Sequence, residues 1–168
     1  MASRVASAWV HIDAPLHVVW AALVDFVAYP EWNPFIVRVD GPEVLETTAD
    51  ALVLHVVLPD GRAREVPVQV TDAVEPHPDA LGHVAWLAWS FTDWPARWGL
   101  LGSNRMQRLV QGLGRETVYH TEEAFEGLLA PLVPLEQVQA GFEAQAEALK
   151  AYCESLVTRG GTLRGPQG

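Results

Sequence analysis

The residues best placed to do chemistry lie in the segment 115–126. In an extended strand Thr117, Tyr119, Thr121, Glu123 and Phe125 share one face, and Val118, His120, Glu122, Ala124 and Glu126 share the other. Apolar Phe125 marks the first face as the inner one. A carboxylate at Glu123 would then face the interior, where desolvation raises its pKa and a nearby cation lowers it again. There it either pairs with an arginine, caps a backbone group, or serves as a general acid/base toward a ligand. Arg105, in the preceding strand, is the candidate partner, because its planar fork suits a carboxylate or a ligand carbonyl. Tyr119 is a second group able to polarise a carbonyl. Two registers are open along 104–111. One turns Arg105, Gln107 and Leu109 inward; the other turns Asn104, Met106 and Arg108 inward, so that Met106 lines the interior and Arg105 is solvated.

Other chemistries find less support. The six histidines (His11, His17, His55, His77, His83 and His120) include no i, i+4 helical pair with a glutamate and no triad spacing, so no metal site is expected. His55, inside the apolar run Leu52-Val-Leu-His-Val-Val, is either satisfied in the core or an inward polar contact. The single cysteine, Cys153, excludes an internal disulfide and a thiolate zinc cluster, and reads as a buried small hydrophobe. Neither G-x-x-x-x-G-K-[ST] nor G-x-G-x-x-G occurs, and no cofactor is expected.

The chain has 168 residues, 49% of them apolar, with a net charge of −10 and one lysine, Lys150. That length suits one domain with a sizeable core. The charge argues against nucleic acid and anionic membrane surfaces, which need a cationic face. No apolar run reaches the ~18–20 residues of a membrane helix, and residues 1–7 lack the apolar stretch of a signal peptide, so a cytoplasmic location without membrane insertion is expected. Seven tryptophans (Trp9, Trp20, Trp32, Trp86, Trp89, Trp94 and Trp98) supply either core or the walls of a cavity for an organic ligand.

The elements that must position these groups follow from periodicity and turn chemistry. Residues 4–12 read as a strand. Asp13 is a candidate N-cap, Pro15 sets a first helical turn, and Val19, Trp20, Leu23 and Val24 recur at helical spacing over 15–24. A second short turn at 28–32 stops at Pro34. Strands are predicted at 36–46, 51–58, 64–75, 82–91, 104–111 and 115–126. Short connections such as Pro59-Asp60-Gly61 and Gly112–Gly114 make the sheet antiparallel. Leu135, Val138, Phe142, Leu149, Tyr152 and Leu156 mark an amphipathic helix over 135–157, about 34 Å long and ended by Gly160-Gly161. The class is α+β, with one domain over 1–159 and a flexible tail at 160–168.

This order, together with the run Asp25-Phe-Val-Ala-Tyr29-Pro30-Glu31-Trp32-Asn33-Pro34-Phe35 and the strand ending Glu123-Ala-Phe125-Glu-Gly127-Leu-Leu-Ala-Pro131, resembles the START/SRPBCC superfamily. Within that Bet v 1-like superfamily it is similar to the bacterial polyketide cyclase/dehydrase-like branch. The resemblance implies a helix-grip fold: a curved seven-stranded antiparallel sheet wrapped around the C-terminal helix, with a cavity between them roofed by the two short helices. Relatives often carry histidine at positions that match Asn104 and Thr121 here.

The expected function is therefore binding of a hydrophobic or aromatic small molecule, lipid- or polyketide-like, by a monomer or homodimer. Candidate ligand contacts are Trp32, Phe35, His55, Trp86, Trp89, Trp94, Trp98, Met106, Thr121, Phe125, Phe142 and Leu149. Trp86 and Trp89 have opposite phases on one strand, so only one of them faces inward. One alternative is a cyclase, aromatase or dehydratase with Glu123 as acid/base and Arg105 or Tyr119 polarising a carbonyl. Another is a chaperone-cofactor-like module that binds a partner protein through an exposed apolar patch at 92–101.

Overall fold

The computed structural model describes residues 4–45, 48–77 and 83–162. Its strands are β1 (Arg4–Ile12), β2 (Ile36–Asp40), β3 (Ala51–Val57), β4 (Ala63–Val74), β5 (Val84–Phe91), β6 (Gly102–Gln111) and β7 (Thr117–Glu126). The helices are α1 (Leu16–Val24), α2 (Tyr29–Trp32), α3 (Trp94–Arg97) and α4 (Leu135–Thr162). One sheet carries all seven strands in the order β1-β7-β6-β5-β4-β3-β2, every neighbouring pair antiparallel. It curls around α4 as a helix-grip fold.

Local chemistry explains most element boundaries. Asn33 ends α2 and holds the chain for β2: its Oδ1 accepts hydrogen bonds from the Phe35 and Ile36 amides at 3.0 and 2.9 Å. The Pro59–Gly61 turn forms as expected, with Gly61 at φ 87°. β2 stops at Asp40 rather than continuing to 46, because Pro42 has no N–H to give the ladder. Asp13 does not cap α1: the N-cap is Pro15, and the Asp13 amide instead donates to Glu154 Oε1 on α4 at 3.0 Å. α4 continues through Gly160 and Gly161 to Thr162. Glycine weakens a helix without breaking it, and Gly160 does not take the left-handed turn that would close one. The segment 92–99 contains the short helix α3, whose N-terminus Asp93 caps by accepting from the Ala96 amide. The predicted start of a strand at 82 and the tail at 163–168 lie outside the described residues.

The position of α4 creates the space that matters. It packs closely along β1 and touches α1 and α2, but it stands off from β3, β4 and β5. Gly141 permits its approach to the β2 entry, since a Cβ there would overlap the Phe35 ring. Phe35 in turn meets Phe142 edge-on at 5.5 Å. At the other end Trp32 stacks on Tyr152 with ring centroids 5.9 Å apart, closing that side of the barrel.

Candidate ligand cavity

Where α4 leaves the sheet, a cavity of about 440 Å³ remains. Its walls are apolar side chains of alternate residues: Ile36 from β2, Leu54 and Val56 from β3, Val66 from β4, Trp89 and Phe91 from β5, Phe125 from β7 and Val138 from α4. The loops 92–101 and 127–134 bound it through Pro95, Leu101, Leu129, Leu132, Val133 and Pro134. Gly127, at φ 105°, lets these two loops meet, because a Cβ would strike the Leu100 carbonyl. The roof expected from α1 and α2 is thus displaced. Phe35 and Ile36, just beyond α2, contribute, but the helices themselves pack against α4 and do not line the space.

Arg64, Glu65 and Asp93 stand at the solvent-facing mouth of this cavity, and two buried charged side chains reach it from neighbouring strands. Arg105 is 2% exposed and Glu123 6% exposed, and they stand directly opposite each other in the β6–β7 ladder. Cross-strand neighbours of opposite charge ordinarily pair. These two do not, for each is held elsewhere. Ser103 Oγ donates to Glu123 Oε1 at 2.6 Å. Arg105 Nε donates to Thr121 Oγ1 at 3.0 Å, and Nη2 donates to Gln145 Oε1 on α4 at 3.0 Å. The guanidinium carbon lies 4.0 Å from the centre of the Phe142 ring, with Trp89 and Phe35 farther out at 5.7 and 5.9 Å. Behind it, Gln107 Oε1 accepts from the Tyr119 hydroxyl at 2.8 Å and from Gln145 Nε2 at 3.2 Å.

Burial pushes the Glu123 carboxyl above the usual carboxylate range, although Arg105 and the Ser103 hydrogen bond pull it partly back. Burial also raises Tyr119, which keeps it a neutral donor to Gln107. Because the folded state holds the Glu123 proton more tightly than the unfolded chain does, its contribution to stability is fullest below the unfolded value. That contribution falls as pH rises through the folded value and is level above it. Glu123→Gln should remove this decline while still accepting from Ser103. Urea denaturation at a series of pH values should show the variant gaining on the parent as pH rises, and a constant difference would contradict the assignment.

Placement of the other candidates follows strand phase. Phe35, Trp89 and Phe125 line the cavity with Arg105 and Glu123. Thr121, Phe142, Leu149 and Tyr119 are buried, but Thr121, Phe142 and Tyr119 support the charged groups from behind rather than forming the wall. Trp32 plugs the opposite end. Five candidates lie away from the cavity wall. Met106 points to the outer face, because Ser103, Arg105, Gln107 and Leu109 take the inner one. His55 is also outward, in phase opposite to Leu52 and Leu54, and its Nε2 lies 2.7 Å from Asp40 Oδ2 on the surface. Trp86 is outward and donates from Nε1 to Asp72 Oδ2 at 2.7 Å. Trp94 and Trp98 are 64% and 78% exposed on the outside of the 92–101 loop, where Pro95 rather than either indole reaches the cavity. Cys153 is fully buried, its thiol pushed up to about 12 by burial.

Gln145 and Ser103 were not anticipated. Gln145 was legible: it sits three residues after Phe142 and four before Leu149, a polar amide on an apolar helical stripe. Ser103 falls in phase with Arg105 but just before the predicted strand start. Among the described residues no group of three or more His, Cys, Asp or Glu side chains could hold a metal ion, and no helix is long and apolar enough to cross a membrane.

Residues 3–154 match the family described as polyketide cyclase/dehydrase and lipid transport. The chain belongs to that family. Solved structures with the same fold include the Zhui aromatase/cyclase from Streptomyces sp. R1128, at 16% identity and TM-score 0.70, covering 93% of this chain and 96% of that one. A START superfamily protein from Mycobacterium smegmatis matches at 18% identity and TM-score 0.62, over 92% and 99% of the two chains. Norcoclaurine synthase from Thalictrum flavum matches at 9% identity and TM-score 0.62, over 93% and 97%. A search of curated proteins finds no match to the sequence. At these identities the likeness extends to the fold, and the polyketide cyclase/dehydrase family member must be read from its own cavity.

Proposed function

We propose that this family member binds a hydrophobic or aromatic small molecule in the space between α4 and strands β2–β5. The observation that carries this reading is the apolar cavity of about 440 Å³, which falls within the range of ligand pockets. Burying ~300 Å² of apolar ligand there contributes roughly 7–8 kcal/mol of transfer free energy before the cost of association. The family description, with its lipid transport, and the fold shared with an aromatase/cyclase support the same class of occupant. Native mass spectrometry of protein purified from its own host tests it. A co-purifying small molecule released on denaturation is expected. Protein that is ligand-free, and that also fails to take up apolar probes such as decanoate or 2-naphthoate, would refute it.

A second reading rests on Glu123: a buried carboxyl with a raised pKa, facing the same cavity as Arg105, suits general acid/base catalysis of a cyclisation, aromatisation or dehydration. Arg105 would polarise a substrate carbonyl, while Tyr119 supports the network through Gln107. In such an enzyme Glu123→Gln lowers turnover of a poly-β-ketone by about 10²–10⁴-fold with substrate affinity not weakened. Unchanged turnover would remove this mechanism and leave binding intact.

A further inference from the structure

The Arg105 guanidinium is buried in an apolar wall, yet every hydrogen-bond and ring partner it has is neutral, and Glu123 acts on it only through space. Thr121 Oγ1 and Gln145 Oε1 accept its hydrogen bonds, and the Phe142, Trp89 and Phe35 rings surround it. The ion pairs among the described residues all lie elsewhere. A buried charge without a counterion is costly, and a fold tolerates it where something else completes the pair. Glu123 is the residue opposite in the ladder, but its carboxyl is engaged by Ser103 and makes no ion pair with Arg105.

We propose that Arg105 is the seat of one carboxylate at the head of an otherwise apolar ligand, whose body occupies the cavity between α4 and the sheet. This deepens the ligand-binding reading above and rests on it. The guanidinium offers a planar donor fork to a planar acceptor, and the low polarity of the wall strengthens each charge-assisted bond. The rings around Arg105 limit the head group to something flat and small, and the apolar walls of β3, β4 and α4 take the tail. A cationic amphiphile is disfavoured there by Arg105 itself. A neutral amide of the same shape would bind through its tail alone, with one weaker hydrogen bond.

The test is a set of calorimetric titrations with two matched pairs, decanoate against decanamide and 2-naphthoate against 2-naphthamide. In the parent protein at least one acid should bind about ten- to a hundredfold tighter than its amide. Arg105→Met should abolish that preference by weakening the acids to the level of the amides, which lose at most their one weaker hydrogen bond. Glu123→Gln should bind the acids at least as tightly as the parent does. Equal affinity of acid and amide in the parent would overturn the proposal with the cavity reading intact, and that comparison does not depend on any variant folding. Weakened acid binding in Glu123→Gln would make Glu123 the anchor and likewise overturn it. Failure of all four compounds to bind would overturn the ligand-binding reading as well.

Discussion

Val138→Trp is expected to cut the affinity for any apolar ligand about a hundredfold while leaving the protein folded. Val138 lies on the first turns of α4 and faces the open space, so an indole there has volume to enter. The indole and the ligand then compete for the same walls. Displacing ~110 Å² of ligand contact forfeits about 2.7 kcal/mol, which is close to two powers of ten in Kd. A filled, unstrained cavity costs the fold little, whereas overpacking costs about 1–3 kcal/mol. Parallel titration of 2-naphthoate and thermal denaturation separate the two. Affinity that survives in a well-folded variant would place the ligand somewhere else.

The second large effect is on stability. Phe142→Ala should destabilise the protein by about 3–5 kcal/mol, the range for removing a buried phenylalanine. Phe142 is fully buried at the point where α4 faces β6, with Phe35 edge-on to it and the Arg105 guanidinium over its face at 4.0 Å. Alanine there would remove both the ring that excludes water and the π-face that partly offsets the buried charge. The loss should therefore exceed that of Leu149→Ala, a fully buried truncation of a smaller side chain on the same helix. Denaturant unfolding of the two variants measures the difference, and a loss no larger than that of Leu149→Ala would contradict the expectation.

How much of this was legible in the sequence depends on how strongly each segment alternates. On β7 the aromatic Tyr119 and Phe125 share one phase, so Glu123 could be turned inward without a structure, and burial does alternate along the strand. On β6 both phases hold a mixture of polar and apolar groups, so Arg105 and Met106 could exchange faces on paper. The ladder with β5 and β7 decides it, by placing Ser103, Gln107 and Leu109 inside with Arg105. β3 is nearly all apolar, which hides its phase. Only the pairing with Asp40 and the proximity of Glu65 reveal that His55 belongs to the surface. The family signature around Tyr29–Phe35 was specific for the fold, but the two short helices that the resemblance implied as a roof do not line the space. The space is bounded at its far end by the loops 92–101 and 127–134, whose positions depend on Gly127 and Asp93 contacts that no periodicity announces.

The pair Arg105 and Glu123 shows a further limit of sequence reading. Opposite charges directly across a ladder predict a salt bridge, and the structure instead gives each its own neutral partner. The difference arises from residues on three elements: Ser103 on β6, Thr121 on β7 and Gln145 on α4. Together these hold two polar groups apart at the edge of an apolar space, which is the arrangement a ligand with one polar end requires.

The most direct measurement is a crystal structure of the protein soaked with 6-bromo-2-naphthoate, with the bromine located by its anomalous signal. The account predicts bromine density among Leu54, Val66, Phe91 and Val138, with the ligand's carboxylate against Arg105. Bromine found only on the outer indoles Trp94 and Trp98, with that space left without ligand, would contradict it.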